Sequence, residues 1–146
     1  MKPTVKFKKL RPEAQAPQYQ TPYAAGADLY AALEKKVRIY SRATKFIPTG
    51  IAAEIPEGYV GLIFARSSLA CKNGIAPANK VGVIDSDYRG EIMVALHNHS
   101  LNDVTINPGD RIAQLVIVPY LTAEFVEAQE LSDTVRADGG FGSTGK

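Results

Sequence analysis

The sequence predicts an all-β domain, a sandwich or barrel of many short strands. Three observations predict it. Apolar runs are short, turn residues separate them at close intervals, and only one segment carries helix signals. The 146 residues suffice for one hydrophobic core, so one domain is expected.

The elements follow in order. Strands are expected at 5–10, 27–31, 36–39, 44–47, 51–55, 59–64, 81–84, 92–97, 104–106, 111–119 and 123–126. Turn signals separate them: Pro22, Pro48-Thr49-Gly50, Pro56-Glu57-Gly58, Lys72-Asn73-Gly74, Arg89-Gly90 and Asn107-Pro108-Gly109-Asp110. In the strand at 59–64, Tyr59, Gly61 and Ile63 alternate with Val60, Leu62 and Phe64, so both faces are apolar. Such a strand belongs at the centre of a sandwich or at a subunit interface. The one expected helical turn runs from Ser67 to Asn73, with a serine as N-cap and Gly74 as left-handed stop. The chain divides into a β domain at 1–135 and a flexible C-terminal arm at 136–146. The arm's four glycines, Gly139, Gly140, Gly142 and Gly145, build no core.

Composition excludes several classes. A net charge of +2 is too weak to argue for a nucleic-acid-binding surface. No run approaches the ~20 apolar residues of a membrane helix. The opening MKPTVKFKKL holds no long apolar stretch, so no signal peptide is expected. Cys71 stands alone, which fits a reducing compartment. A cytoplasmic location is expected.

Three segments carry candidate chemistry. Ala65-Arg66-Ser67-Ser68-Leu69-Ala70 places an arginine and two hydroxyls at a helix start, which suits an anion. It equally suits an N-cap beside a surface arginine. Val83-Ile84-Asp85-Ser86-Asp87-Tyr88-Arg89-Gly90-Glu91 crowds charges and a tyrosine into a turn between apolar strands. Asp85 follows directly on the first strand, where a sheltered carboxylate serves as general base on water or orients a metal. A solvated hairpin turn is the alternative. In the arm, glycines let backbone N–H groups approach an anion. Arg136, Ser143 and Thr144 add donors for phosphate, and Phe141 offers a face for a planar base. An unstructured terminus explains the same composition. The order of residues is not that of a Walker loop. His97 and His99 have the spacing of metal ligands sharing one strand face, but no third His or Cys lies nearby in sequence.

Taken together, these segments resemble the trimeric dUTPase family. Five segments match its motifs in order: Ala25-Gly26-Ala27-Asp28-Leu29, Arg66-Ser67-Ser68-Leu69-Ala70, Gly82 through Gly90, Arg111-Ile112-Ala113-Gln114-Leu115, and Gly139 through Gly145. The resemblance implies a jelly-roll-like β domain assembled as a homotrimer, with active sites between subunits. It implies hydrolysis of dUTP to dUMP and pyrophosphate with Mg2+, supplying dUMP and keeping uracil out of DNA. Asp85 would activate the attacking water. Tyr88 would pack under the deoxyribose and exclude a ribose. The hairpin from Asn79 to Met93 would read uracil. Arg66, Ser67, Ser68 and Gln114 would hold phosphates. Phe141 would cap the base, while Arg136, Gly142, Ser143 and Thr144 would close on the γ-phosphate. Asp28 would support the site near a metal held mainly by the substrate. Neither membrane nor nucleic acid enters as a partner. Two positions depart from the family pattern: Ala65 stands where proline is usual, and Ala137 where glycine is usual.

Two rivals remain at this stage. A dCTP deaminase of the same fold also carries Arg-Ser-Ser, but needs a glutamate where this chain has Ala95. A non-catalytic protein on the same scaffold is the other, because fold alone does not decide function.

Overall fold

The computed structural model describes residues 2–140. Ten strands and one helix follow in chain order: β1 Lys6–Lys9, β2 Ala27–Tyr30, β3 Val37–Ile39, β4 Thr44–Glu54, β5 Tyr59–Phe64, α1 Ser67–Asn73, β6 Ile75–Pro77, β7 Gly82–Ile84, β8 Glu91–Asn98, β9 Val104–Ile106 and β10 Arg111–Pro119. They form two four-stranded sheets, ordered β1-β4-β8-β6 and β2-β10-β5-β7, and a small β3-β9 pair. Every pairing is antiparallel. The result is the jelly-roll-like sandwich that the sequence predicts.

The core lies between the sheets. Alternation along β8 sends Ile92, Val94 and Leu96 inward, where they meet Ile47 and Ile51 from β4 and Ile63 and Leu115 from the second sheet. The buried Asn98 is fully satisfied at the end of β8. Its Nδ2 donates to the carbonyls of Ile39 and Asn102, and its Oδ1 accepts from the Ser100 N–H and hydroxyl.

The structure departs from expectation in four places. The strands expected at 44–47 and 51–55 are one strand, because Pro48-Thr49-Gly50 forms an irregularity within the β4–β8 ladder instead of a turn. Gly50 takes φ 66° there, and the Thr49 hydroxyl donates to the Ile92 carbonyl. Strand β6 was hidden between Gly74 and Pro77. The segment at 123–126 pairs with nothing in the protomer, and Phe125 is 96% exposed. Finally, β7 pairs with β5 while β8 pairs with β4 and β6. The loop at 85–90 therefore crosses between sheets and does not close a two-stranded hairpin.

Candidate functional site

The second sheet organises one half of the site. Gln114 on β10 lies in register with Asp28 on β2 and with Phe64 on β5. The chain leaves β5 through Ala65, so Arg66 starts the helix beside both residues. Asp28 is buried, and each carboxylate oxygen has its own partner: Oδ1 accepts from Arg66 Nε at 2.8 Å, and Oδ2 from Arg111 Nη1 at 3.2 Å. Gln114 Nε2 donates to the Ala65 carbonyl at 2.9 Å, fixing the approach to Arg66. A side chain at Gly26 would collide with the Gln114 amide, which explains the glycine of that segment.

The helix start differs from expectation. Arg66, not Ser67, is the N-cap, with extended φ −86° and ψ 131°, and no side chain caps the helix. Ser67 and Ser68 are exposed, so their hydroxyls are not spent on capping. Gly74 closes the helix in the left-handed conformation, as expected. The helix has seven residues, so the anion-binding capacity here rests on Arg66 and the hydroxyls. A shallow pocket opens beside them, lined by Arg66, Ser68, Asn73, Asp110 and Arg111 together with the apolar Leu69 and Ile106.

The loop at 85–90 forms the other half. Tyr88 is ordered from two directions: its hydroxyl donates to the Glu91 carbonyl at 2.9 Å, and its N–H to the Asp85 carbonyl at 3.1 Å. A side chain on Gly90 would strike the Tyr88 ring. Arg89 folds back onto the carbonyls of Ser86 and Tyr88. Glu91 anchors the loop's end, accepting from Arg11 at 2.9 Å and from the Gly50 N–H at 2.8 Å. Asp85 is exposed in the protomer, not sheltered as its sequence position suggested. The reason is that it follows β7 at the sheet edge, where none of the described residues covers it. Asn79 and Met93, at the two ends of the uracil-reading segment, are also exposed.

The two halves do not meet in one chain. Ile84 pairs with Gly61, which places Asp85 beside the start of β5, whereas Arg66 follows its end. At about 3.3 Å per residue, Val60 and Arg66 are roughly 20 Å apart. Arg136 Nε donates to the Gly139 carbonyl at 2.9 Å. Ala137 takes φ 43°, the left-handed region that the family's usual glycine enters freely. Phe141, Gly142, Ser143 and Thr144 lie outside the described residues.

Sequence reasoning missed Arg111 and Glu91 as organisers. Arg111 stands in the fourth matched segment three residues before Gln114, and that position was its only signal. His97 and His99 touch edge-on, with centroids 4.5 Å apart, and His97 Nδ1 lies 2.8 Å from the Thr44 hydroxyl. Desolvation, then His97, Lys80 and Arg42 as positive neighbours, hold His99 below its usual pKa. Among the described residues no three His, Cys, Asp or Glu side chains converge as metal ligands. Asp28, the nearest carboxylate to the phosphate-binding candidates, has both oxygens on arginines. These donors do not make a protein cage for a hard cation, which would need oxygens from a bound ligand. Among the described residues no helix is long and apolar enough to cross a membrane.

Comparison with known proteins identifies the family. The dUTPase family model matches residues 12–145. A deoxyuridine 5'-triphosphate nucleotidohydrolase of Syntrophotalea carbinolica is 46% identical over 142 residues, covering 97% of each chain. One from a Hydrogenobaculum species is 53% identical over 138 residues, covering 94% of this chain and 95% of its own. The dUTPase of Staphylococcus bacteriophage 80alpha, solved with dUpNHpp, superposes with a TM-score of 0.90 at 30% identity, covering 98% of this chain and 99% of that one. A mutant dUTPase of S. aureus phage phi11, TM-score 0.80 and 28% identical over 87% of this chain and 97% of its own, was solved with a structural Mg(II) ion. By the family match and by these relatives, the chain belongs to the dUTPase family.

Proposed function

We propose that this dUTP diphosphatase works through a site shared between subunits. In that site, Asp85 from one chain activates the water that attacks dUTP held by Arg66 and its neighbours from another. The observation that carries this reading is the separation of the two halves. Asp28, Arg66 and Gln114 are prearranged at one end of β5, and Asp85 and Tyr88 stand exposed near the other. Each half is locally ordered, and among the described residues the strand β5 lies between them.

The chemistry then runs as follows. Arg66, the Ser67 and Ser68 hydroxyls and Gln114 bind the triphosphate oxygens, which brings the α-phosphorus to a fixed place. The Asp85 carboxylate takes a proton from water as its oxygen bonds to the α-phosphorus. The α–β bridging P–O bond breaks, and pyrophosphate leaves with the electron pair. Mg2+ carried by the substrate phosphates would neutralise their charge, and Asp28 supports that region through its two arginines and not as a direct ligand. Tyr88, pinned by the Glu91 carbonyl and by the close approach of Gly90, presents a rigid ring to the sugar. The segment from Asn79 to Met93 reads the base. The arm at 136–146 closes over the site as a separate functional unit. Phe141 covers the uracil ring, and Arg136, Gly142, Ser143 and Thr144 bind the γ-phosphate.

The assembly is a homotrimer. Its support is apolar surface left uncovered: on β5 and β10 the residues Val60, Leu62, Val116 and Val118 are half-exposed, and Leu121, Phe125, Val126 and Leu131 project from the extended segment that follows β10.

The test is release of pyrophosphate and dUMP from dUTP, with dCTP as control. Turnover of dUTP that stops in EDTA and returns with Mg2+ is expected. Ammonia release from dCTP, or no turnover of either nucleotide, contradicts the reading.

A further inference from the structure

We propose that Arg111 is a positioning residue of the phosphate site, holding Arg66 available to substrate by occupying half of Asp28. This rests on the phosphate role proposed for Arg66. Asp28 could satisfy both its oxygens with one guanidinium, since a carboxylate and an arginine fit as a two-pronged pair. It does not do so. Arg66 contributes only Nε, and Oδ2 is taken by Arg111 Nη1. The Nη groups of Arg66 therefore stay out of the ion pair; Nη1 reaches only the Arg111 carbonyl, at 3.5 Å. That long contact is readily exchanged for a phosphate oxygen.

Charge points the same way. Arg66 and Arg111 line the pocket with Asp110, whose carboxylate is turned into its own loop by the Asn107 N–H at 2.7 Å, and Asp28, outside that lining, is paired with both arginines. With Arg111 these four charges cancel. Without Arg111 this cluster of charges is net negative, which disfavours a polyanion. Loss of Arg111 also frees Oδ2, which draws an Nη of Arg66 into a closed pair and away from phosphate. Arg111 is only half covered, with 43% of its side chain exposed, so its removal leaves no buried charge without a partner: Asp28 keeps Arg66.

The experiment uses Arg111→Gln and Arg111→Lys in the full chain. It measures competitive inhibition of dUTP hydrolysis by inorganic tripolyphosphate and, separately, by deoxyuridine. Arg111→Gln should weaken tripolyphosphate about tenfold, the scale of one charge-assisted contact, while deoxyuridine inhibits as in wild type. Arg111→Lys keeps a cation on Asp28 Oδ2 and should stay within about threefold of wild type for both inhibitors, or about 0.7 kcal/mol. Unchanged tripolyphosphate inhibition in Arg111→Gln overturns the proposal. Parallel weakening of both inhibitors shows a merely structural role, and a lysine as poor as glutamine removes the charge argument. If the glutamine variant does not fold, the lysine variant decides alone: a tenfold loss of tripolyphosphate inhibition overturns the proposal. Wild-type protein that hydrolyses no dUTP would instead defeat the proposed function, so the two failures are distinguishable.

Discussion

Tyr88 shows how a single side chain is made specific by its neighbours. Its hydroxyl is fixed on the Glu91 carbonyl, and Gly90 leaves just the room its ring needs. A ring held this way has no freedom to retreat from an added 2′-hydroxyl on the sugar. UTP should therefore be a very poor substrate, and Tyr88→Ala should narrow the gap by raising relative turnover of UTP. Comparing kcat/KM for the two nucleotides checks this, and equal values in wild type would show that the ring is no gate. At this scale the sequence was informative about identity but not about partners. Arg66, Asp28 and Gln114 were all recognisable in their segments, yet the contact of Asp28 with two arginines depends on strand register, which no local pattern specifies. The N-cap was misassigned to Ser67 because serine is the preferred capping residue, whereas here the extended backbone of Arg66 takes the position without a side-chain bond.

Among the elements, the apolar runs bounded by turn residues were legible, β5, β8 and β10 above all. The failures have physical causes. Proline and glycine in β4 signalled a turn but make an irregularity inside the strand, since the Thr49 and Gly50 bonds to Ile92 and Glu91 hold the ladder together across it. The segment at 123–126 has strand composition but follows no strand edge closely enough to pair, and among the described residues it takes no strand conformation. The arm beyond it raises a sharper question. Deleting residues 136–146 should leave the thermal midpoint nearly unchanged, because 136–138 are exposed and 139–140 only half-covered. Turnover of dUTP should nevertheless collapse, with Phe141→Ala costing less, since one base stack is worth ~1–3 kcal/mol. Thermal unfolding and hydrolysis measured side by side decide it. Early unfolding would make the arm structural, and full activity would make it idle.

At the scale of the whole molecule, the fold of one chain holds the two groups of candidate residues apart. Its core is closed and the buried Asn98 is satisfied, yet Asp85 lies beside the start of β5 and Arg66 follows its end. Assembly resolves this if a second chain brings its loop to the first chain's helix start. Sedimentation equilibrium should return about three chain masses at working concentrations, and an active monomer would contradict the shared site. Fold class was legible from strand count and turn spacing alone. The candidate site was legible only through the family resemblance, because its residues sit on separate strands and loops whose register no local pattern specifies.

Everything in this scheme converges on one carboxylate. Asp85→Asn keeps the size and shape of the side chain, and the loop is held by Tyr88, Arg89 and Glu91 rather than by the Asp85 carboxylate. The variant should fold, bind dUTP with near wild-type affinity and lose about 100-fold or more in turnover, as expected when a general base is removed. Pyrophosphate release under saturating dUTP, measured for wild type and Asp85→Asn, is the direct test. Loss of turnover with binding intact is the predicted result, and near-normal hydrolysis by the asparagine variant would contradict it.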